Sequence, residues 1–284
     1  MLELIQRTTE FLKGKDVESP RLQAELLLAH VLKLPRMQLY LNFEKTPTTA
    51  QLDEFRQYVR RRGLREPLQH ILGSVSFCGR ELAVNRQVLV PRPETELLAE
   101  LGWQYLQGCV KHTEAPRALD YGTGSGCLAI ALAANCPQAH VHALDISAEA
   151  LEVAKRNAAQ NQVADRIHFW HGNGFEGLPG GLRFHLLIGN PPYIPSAEID
   201  RLQPEVRDYD PRGALDGGVD GLAHYQRLAV KGAAWLEQGG RLMLELGDHQ
   251  AAPVRALFEA QKWIVERIAE DYTHHPRMMI ACKP

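Results

Sequence analysis

Residues 117–126 read Arg-Ala-Leu-Asp-Tyr-Gly-Thr-Gly-Ser-Gly, a short apolar strand that runs into a glycine-rich turn, and a helical run, Cys127 to Ala134, follows directly. Glycine at alternate positions permits a tight turn in which a ligand meets bare backbone. The first turn of the helix adds N–H groups that have no partner within the helix. A dinucleotide fingerprint has the spacing G-x-G-x-x-G, but Cys127 stands at its last glycine position, so the spacing here is G-x-G-x-G. The stretch therefore favours a nucleoside ligand without a pyrophosphate.

The same strand opens a region in which apolar strands alternate with helices. Such alternation predicts an α/β fold with a mainly parallel sheet. The predicted strands of this alternation are Arg117 to Tyr121, His140 to Leu144, Ile167 to Trp170, Phe184 to Ile188, and Arg241 to Leu246. Two further strand-like runs, Trp263 to Ile268 and Met278 to Cys282, lie too close together for a helical crossover, so we expect them to pair antiparallel.

The first part of the chain has a different pattern. Apolar residues such as Leu22, Leu26 and Val31 recur near the helical period through residues 1 to about 72, which predicts a small helical bundle. Alternating segments between Gly73 and Pro91 predict a β-hairpin or linker. We therefore expect a helical domain over residues 1–72, a hairpin linker over 73–92 and an α/β domain over 93–284.

The composition is that of an ordinary globular protein. The 284 residues are 45% hydrophobic and 23% charged, which is enough to bury a large core. A net charge of −2 and a pI near 6.6 argue against bulk electrostatic attraction to nucleic acid. The sequence has no long apolar run, no signal-peptide pattern at its start and no zinc-binding spacing among its five cysteines. We expect a cytoplasmic protein with reduced thiols, without a metal site and without a membrane-spanning segment.

Two polar residues follow the next two predicted strands. Asp145 lies 19 residues beyond Gly126 (145 − 126), where a carboxylate can accept hydrogen bonds from both ribose hydroxyls of a nucleoside. The alternative role for Asp145 is to cap a helix, but Ser147 is the better cap for the run Glu149 to Gln160. Asn173 follows the third strand and is expected either to meet an adenine edge or to serve only as a turn residue between two glycines.

The sequence Asn190-Pro191-Pro192-Tyr193 follows the fourth predicted strand. The side-chain carbonyl of Asn190 and the backbone carbonyl of Pro191 can together accept both hydrogens of a planar amino group and fix its line of attack. Successive prolines hold these acceptors stiffly, and Tyr193 offers a flat face to the substrate. A proline-rich turn is the alternative explanation. The tetrapeptide by itself predicts a clamp for a planar nitrogen, either of an amide or of a base.

With these motifs in this order, the chain resembles class I S-adenosylmethionine-dependent methyltransferases that modify planar nitrogens. Three further segments resemble the release factor glutamine methyltransferases: residues 66–73 (Glu-Pro-Leu-Gln-His-Ile-Leu-Gly), 88–96 (Val-Leu-Val-Pro-Arg-Pro-Glu-Thr-Glu) and 217–222 (Gly-Gly-Val-Asp-Gly-Leu). The resemblance covers nearly the whole chain. It implies a Rossmann-like seven-stranded methyltransferase sheet with an antiparallel last strand, joined to a small N-terminal helical bundle that helps to dock a protein substrate.

The resemblance also implies an activity, namely N5-methylation of the glutamine in the Gly-Gly-Gln loop of peptide-chain release factors, with S-adenosylmethionine as the cofactor. The expected partner is then a release factor rather than nucleic acid, and the expected state is a monomer. Asn190, Pro191 and Tyr193 are the expected catalytic residues, and together with Pro192 they form the expected site for the substrate amide. The expected cofactor-binding residues are Gly122, Thr123, Gly124, Ser125, Gly126, Asp145, Asn173, Gly174 and Asn190.

Some positions depart from the usual family pattern. Asn173 stands where an aspartate is common, and Gly174 stands where an aromatic ring often covers the adenine. The segment Asp208 to Pro211 also differs, and we do not expect it to touch the chemistry directly. The resemblance places three further residues beside the cofactor: Arg92, Glu94 and Thr95. A helix start with acidic first-turn residues explains them equally well.

Three alternative functions remain open. The same clamp suits the glutamine of a ribosomal protein, or an exocyclic base nitrogen after base flipping. The third alternative is a protein that binds the cofactor without catalysing a reaction. A nucleic-acid enzyme needs a basic surface, and we expect the one dense basic cluster to be a solvated helix face. That cluster consists of Arg56, Arg60, Arg61, Arg62 and Arg65.

Overall fold

The computed structural model describes residues 1–42 and 44–283. Its helices are α1 (Leu2–Lys13), α2 (Pro20–Leu32), α3 (Gln38–Leu41), α4 (Thr49–Gly63), α5 (Leu68–Leu72), α6 (Pro93–Cys109), α7 (Cys127–Asn135), α8 (Ala148–Gln160), α9 (Pro204–Arg207), α10 (Ala223–Lys231) and α11 (Ala251–Ala260). Its strands are β1 (Ser74–Phe77), β2 (Arg80–Ala83), β3 (Arg117–Tyr121), β4 (His140–Asp145), β5 (Ile167–His171), β6 (Phe184–Gly189), β7 (Leu236–Glu245), β8 (Ile264–Glu270) and β9 (Pro276–Cys282). Within the described ranges, no helix is both long enough and apolar enough to cross a membrane.

The chain folds into two compact units. The helical unit contains Met1–Ser74 together with Leu202–Tyr209, and the sheet unit contains Val75–Arg201 and Asp210–Pro284. Helix α9 therefore packs with the N-terminal helices although it is far from them in sequence. Each unit has a hydrophobic core of its own.

The core of the helical unit comes from the apolar faces of α1, α2 and α4. Leu12, Leu27 and Phe55 are buried at this centre, as the helical period predicts. Leu22 belongs to the same periodic pattern, but it lies on the outer side of α2 and is 40% exposed. Helix α4 begins at a capping box, because the Thr48 side chain and the Gln51 side chain each accept a backbone N–H of the other residue.

The basic cluster at the end of α4 is only partly a solvated helix face. Arg62 is 3% exposed, and its guanidinium donates to Glu205 on α9 at 2.6 Å. Arg65 donates to both oxygens of the same carboxylate, at 2.6 and 2.7 Å. Arg61 pairs with Glu66 in the same way. The expectation of a solvated face is therefore wrong for Arg62, which helps to bind α9 within the helical unit.

The sheet unit has a two-stranded sheet, β1 and β2, and a seven-stranded sheet with the strand order β5-β4-β3-β6-β7-β9-β8. Strands β3 to β7 are parallel, whereas β9 lies antiparallel to both β7 and β8. This arrangement confirms the predicted sheet, including the antiparallel pairing of the last two strands. The register brings the carboxyl ends of four strands to one edge, since Asp120 lies opposite Ala143 and Ile188, and Asp145 lies opposite His171.

Side chains that alternate along the strands build a core on each face of the sheet. Ala118, Leu186 and Met243 belong to the core that α6 and α7 cover. Their neighbours in sequence, Leu119, Leu187 and Leu242, belong to the core that α10 and α11 cover. Because both faces are buried, the strands read as continuous apolar runs. Polar residues at the strand ends are therefore the exceptions that need a separate explanation.

Candidate active site at the carboxyl edge of the sheet

A cavity opens at the carboxyl edge of the parallel strands, where the loops after β3, β4, β5 and β6 meet. Open α/β sheets bind their ligands at this edge. The residues expected from the sequence that line the cavity are Gly122, Gly124, Asp145, Asn173, Gly174, Asn190, Pro191 and Pro192. The expected residues that do not lie in its wall are Thr123, Ser125, Gly126 and Tyr193.

The glycine loop presents bare backbone to the cavity. Gly122 and Gly124 have φ angles of 76° and 53°, in the left-handed region that favours glycine, and an added Cβ at either position would meet no atom within 4 Å. The N–H groups of Gly122 and Thr123 both donate to the carbonyl of Leu144 at 2.9 Å, which ties the loop to β4. The loop is thus an open and fixed surface that a ligand can approach closely.

The remaining residues of the loop shape it from behind. Thr123 donates its hydroxyl to Asp120 Oδ2 at 2.6 Å, and the N–H of Ala129 donates to the same oxygen at 3.1 Å. Asp120 is completely buried, and burial raises the pKa of its carboxyl to about 7. An added Cβ at Gly126 would lie 3.1 Å from the Cβ of Ala154, so glycine permits the helix contact there. Thr123 and Gly126 therefore support the loop from behind the cavity wall.

Asp145 lies at the end of β4 beside the glycine loop. Its Oδ2 accepts the N–H of Gly124 at 2.8 Å, and its Oδ1 accepts the N–H of Ser147 at 2.9 Å. The Ser147 hydroxyl accepts the N–H of Ala150, so Ser147 is the helix cap, as the sequence predicts. Each Asp145 oxygen keeps a second lone pair, which suits a vicinal diol. Ile146 adds an apolar side chain that lines the cavity and is 62% exposed.

Asn173 and Gly174 meet two residues that sequence reasoning missed. Arg227 on α10 donates from Nη1 to Asn173 Oδ1 at 2.6 Å. An added Cβ at Gly174 would lie 3.0 Å from the Tyr121 hydroxyl and 3.2 Å from Arg227 Nη1. Tyr121 and Arg227 both line the cavity. The space beside Gly174 is therefore filled from β3 and α10.

The side chain of Asn190 is held by a chain of buried polar groups. Asn190 donates from Nδ2 to Thr95 Oγ1 at 3.4 Å, and Thr95 donates its hydroxyl to Glu245 Oε2 at 2.6 Å. Among the described residues, no donor occupies the side-chain carbonyl oxygen of Asn190. Because its nitrogen is engaged, Asn190 presents an acceptor in the cavity wall beside Pro191.

Glu245 was not anticipated, although an acidic residue inside the apolar strand Arg241 to Leu246 is a signal that the sequence contained. It is 2% exposed, and burial raises the pKa of its carboxyl to about 7 against the hydrogen bond from Thr95 and the charge of Arg277. A buried carboxyl of this kind needs hydrogen-bond partners. Thr95 donates to this carboxyl directly, and Asn190 donates in turn to the Thr95 oxygen, which explains why these residues lie together.

Tyr193 and the 217–222 segment form a support behind the cavity. An added Cβ would lie 2.8 Å from the Tyr193 Cα at Gly217 and 2.3 Å from the Tyr193 carbonyl oxygen at Gly221. Gln250 donates from Nε2 to that same carbonyl oxygen at 2.9 Å. Burial raises the pKa of the Tyr193 phenol to about 12. The glycines therefore allow this segment to pack directly on the backbone of the tetrapeptide.

Of the remaining segments that depart from the family pattern or are expected beside the cofactor, one lies at the start of α6 and another reaches the cavity wall. Arg92 stands at the N-cap position of α6 without a side-chain capping hydrogen bond. Its guanidinium donates to Asp210 at 2.8 Å, and burial raises the pKa of the Asp210 carboxyl to about 6. Pro211 lines the cavity, so the segment Asp208 to Pro211 reaches the candidate site through its last residue. Glu94 lies in the first turn of α6, as a helix start predicts.

Among the described residues, no group of three or more His, Cys, Asp and Glu side chains is arranged to hold a metal.

The geometry combines two kinds of recognition in one cavity. One side offers bare backbone, a carboxylate and an apolar side chain, which fits a nucleoside with an attached chain. Asn190 and Pro191 line another part of the wall, and a carbonyl of each is the kind of acceptor that suits a group with two N–H hydrogens.

Two family models match the chain. Residues 3–73 match the model of the PrmC N-terminal domain, and residues 100–202 match the model of the methyltransferase small domain. Among solved structures, the chain is similar to a methyltransferase from Pyrococcus furiosus, with a TM-score of 0.53, 19% identity and coverage of 73% of this chain and 91% of that one. It is also similar to the N-terminal domain of human METTL16, with a TM-score of 0.53, 18% identity and coverage of 81% and 83%. At such identities these structures support the fold alone.

Curated relatives are much closer in sequence. A release factor glutamine methyltransferase from Chlorobaculum tepidum is 44% identical over 277 residues, which cover 96% of this chain and 93% of the relative. A protein of the same name from Geobacter sulfurreducens is 43% identical over 256 residues, with coverage of 90% and 87%. The match extends through both the helical unit and the sheet unit. The chain therefore belongs to the release factor glutamine methyltransferase family.

Proposed function

We propose that this protein uses S-adenosylmethionine to methylate the side-chain amide nitrogen of the glutamine in the Gly-Gly-Gln loop of peptide-chain release factors. The observation that carries the proposal is the fixed amide of Asn190, which donates from its nitrogen to Thr95 and keeps its carbonyl oxygen as an acceptor in the cavity. An acceptor pair formed with the Pro191 carbonyl matches the two hydrogens of a primary amide. The family membership supports glutamine as the source of that amide.

The cavity residues fit the cofactor. Gly122 and Gly124 would lie against its methionine end, Asp145 would accept hydrogen bonds from its ribose hydroxyls, and Ile146 would contact its base. When bound, S-adenosylmethionine supplies an electrophilic methyl group on a sulfonium. The chain itself supplies rigidity, because the glycine loop is tied to β4 and Asp145 is tied to the loop.

The contribution of the clamp is orientation. An amide nitrogen delocalises its lone pair into the carbonyl, so it is a poor nucleophile unless its geometry is fixed. Asn190 Oδ1 and the Pro191 carbonyl would accept the two N–H hydrogens and turn the remaining lobe of the nitrogen toward the nucleoside side of the cavity. Orientation of this kind contributes about 7 to 11 kcal/mol to a two-substrate step. The nitrogen loses its extra proton to water after transfer, so Asn190 does not need to act as a base.

Each part of the chain would have its own role in recognition or catalysis. The helical domain, residues 1–72, would help to dock the release factor, residues 73–92 would act as a linker, and residues 93–284 would carry the catalytic site. The partner would be a protein rather than nucleic acid. The ion pairs of Arg61 with Glu66, and of Arg62 and Arg65 with Glu205, support this choice because two carboxylates offset two of these three positive charges. A cytoplasmic monomer is the proposed state.

The test is methyl transfer from labelled S-adenosylmethionine to purified release factor. We expect label on the wild-type factor and none on a factor whose Gly-Gly-Gln glutamine is replaced by alanine. Ribosomal protein and duplex DNA serve as competing acceptors. Asn190→Ala should abolish transfer while it leaves cofactor binding largely intact. Label that persists on the substituted factor, label on DNA, or near-normal turnover by Asn190→Ala would overturn the proposal.

A further inference from the structure

Position 174, at the end of the cavity near Asn173, has no side chain, although an aromatic ring often covers the adenine from this position in the family. Gly174 has a φ angle of 66°, which L side chains rarely adopt. An added Cβ there would come within 3.0 Å of the Tyr121 hydroxyl and 3.2 Å of Arg227 Nη1. Both the backbone and its neighbours therefore disfavour a ring at position 174, and the side chains that lie beside the base come from Tyr121 and Arg227 instead.

Arg227 occupies this space and is held in place. Its guanidinium donates to Asn173 Oδ1 at 2.6 Å and lies beside the Tyr121 phenol, where it opposes the rise in pKa that burial causes. The buried neighbours Tyr225 and Leu228 anchor helix α10, and Tyr225 donates its hydroxyl to the carbonyl of Glu245 at 2.9 Å. Within residues 1–42 and 44–283, no carboxylate lies within ion-pair distance of Arg227. Its charge is thus available to a ligand in the cavity.

A seated guanidinium has the properties that the missing ring would supply. It is planar, weakly hydrated and stacks on aromatic faces, and its cation favours the electron-rich face of a purine. Arg227 lies beside the loop after β5, because its guanidinium donates to Asn173. That loop is joined to the end of β4, since Gly172 donates its N–H to the carbonyl of Asp145 at 2.9 Å. Asp145, the proposed ribose contact, is therefore next to the strand end that carries Asn173.

We propose that Arg227 forms one face of the adenine subsite, in place of an aromatic side chain at position 174. This inference rests on the proposed cofactor, but not on the proposed protein substrate. Asn173 then acts mainly by holding the guanidinium in position. Its side-chain carbonyl oxygen accepts a hydrogen bond from Arg227, so it is not available to the adenine amino group alone. Arg227 determines how tightly the nucleoside is held, not how fast the methyl group is transferred.

The experiment measures binding of two probes by calorimetry, without any protein substrate. S-adenosylhomocysteine contains both the adenosine and the amino-acid end, whereas 5′-methylthioadenosine contains the adenosine alone. We expect Arg227→Ala to weaken both probes by a similar factor of about 10. Arg227→Lys keeps the charge but loses the plane, so it should bind both probes within about 3-fold of Arg227→Ala. Gln226→Ala, an exposed neighbour on the same helix, should bind both probes like the wild type.

Two results would overturn the inference. The first is wild-type affinity of Arg227→Ala for both probes. The second is a loss confined to S-adenosylhomocysteine, because that pattern assigns Arg227 to the carboxylate of the amino-acid end. If Arg227→Ala does not fold, Asn173→Ala removes only the hydrogen-bond acceptor of the Arg227 guanidinium. This variant should weaken the binding of both probes by about 3-fold. Wild-type affinity of Asn173→Ala would then overturn the inference. Failure of the release factor assay would leave these binding results unaffected.

Discussion

The hydroxyl of Thr95 donates to Glu245 Oε2 at 2.6 Å, which joins the first turn of α6 to the end of β7. Because that hydroxyl hydrogen is committed to the carboxylate, the Thr95 oxygen is left to accept from Asn190 Nδ2. The orientation of the Asn190 amide therefore depends on a residue that does not itself line the cavity. A reversed amide would present N–H donors to the substrate amide, where acceptors are required.

Thr95→Val tests this dependence. Valine keeps the volume of threonine but removes the hydroxyl, so Asn190 loses its acceptor and Glu245 loses its donor. We expect kcat to fall by about 10- to 100-fold, because small errors in orientation are costly in a step that depends on alignment. The KM for S-adenosylmethionine should change little. Thr95→Ser restores the hydroxyl and should recover most of the activity.

A purely structural role for Thr95 gives a different outcome in the same assay. Loss of packing or stability alone would leave kcat per folded molecule unchanged, and Thr95→Ser would gain no advantage over Thr95→Val. Active-site titration with S-adenosylhomocysteine supplies the count of folded molecules. Equal kcat values for wild type and Thr95→Val, after that correction, would contradict the positioning role.

Local spacing in the sequence was enough to predict part of the site. The glycine loop, Asp145 and Asn190 each follow a predicted strand, and a parallel sheet brings such positions to one edge. Glu245 stands out as an acidic residue in an apolar strand, but local spacing reveals neither its role nor that of Arg227. Their partners, Thr95 and Asn173, lie far away along the chain. Only the order and register of the strands and the packing of α6 and α10 bring these pairs together.

In the helical unit too, local sequence predicts the buried face of each helix but not the contacts between segments that are distant along the chain. The helical period predicted the buried positions of α1, α2 and α4, because an amphipathic helix shows its core face directly in the sequence. The packing of Leu202–Tyr209 with that unit has no periodic signal, since α9 is a single short turn that an ion pair holds. The sequence showed the charges of Arg62 and Glu205, but the pairing between them came only from tertiary structure.

A buried histidine predicts the behaviour of the protein in acid. His142 on β4 is 7% exposed, and its Nδ1 accepts the indole N–H of Trp170 at 2.9 Å. Phe184 on β6 packs edge-on against the ring, and the groups that oppose its protonation are His140 on β4, His168 on β5 and Arg117 on β3. Burial, followed by these charges, lowers the pKa of His142 from 6.5 to about 4.

The sign of the effect follows from the direction of this shift. Since the folded pKa lies below the unfolded value, His142 contributes stability that is present above pH 6.5 and is lost as the pH falls through 4. We expect that loss to be about 2 to 3 kcal/mol of unfolding free energy. His142→Gln, measured by urea unfolding between pH 7 and 4, should lack this component, whereas the exposed control His112→Gln should retain it. Parallel pH profiles for wild type and His142→Gln would refute the assignment.

The ion pairs of Glu205 should stabilise the helical unit. Its carboxylate accepts from Arg62, which is 3% exposed, and from Arg65. Removal of one partner of a buried ion pair leaves an uncompensated charge, which costs about 3 to 5 kcal/mol. We expect Glu205→Ala to lie near the lower limit, because Arg62 also donates to Gln23 and to the carbonyl of Glu66.

Hydrogen exchange of amides in residues 1–74 measures this effect in the full chain. Protection in α2 and α4 should fall in Glu205→Ala, while protection in the central strands of the sheet unit should stay close to the wild-type level. Glu18→Ala removes an exposed carboxylate from the same unit, and it should leave the exchange pattern unchanged. Equal protection of α4 in Glu205→Ala and in Glu18→Ala would show that the ion pair does not stabilise the unit.

Gly221→Ala tests the support behind the tetrapeptide. Gly221 has a φ angle of 75°, and an added Cβ would lie 2.3 Å from the Tyr193 carbonyl oxygen, so the backbone of one segment must move. We expect kcat to fall by more than about 10-fold, because Asn190 and Pro191 are continuous with Tyr193. Affinity for S-adenosylhomocysteine should stay near the wild-type value, since the glycine loop and Asp145 do not contact Gly221. Gly180→Ala adds the same methyl group at a loop position where it meets no atom within 4 Å, and this control should keep full activity. An active Gly221→Ala enzyme would mean that the tetrapeptide holds its geometry without the 217–222 segment.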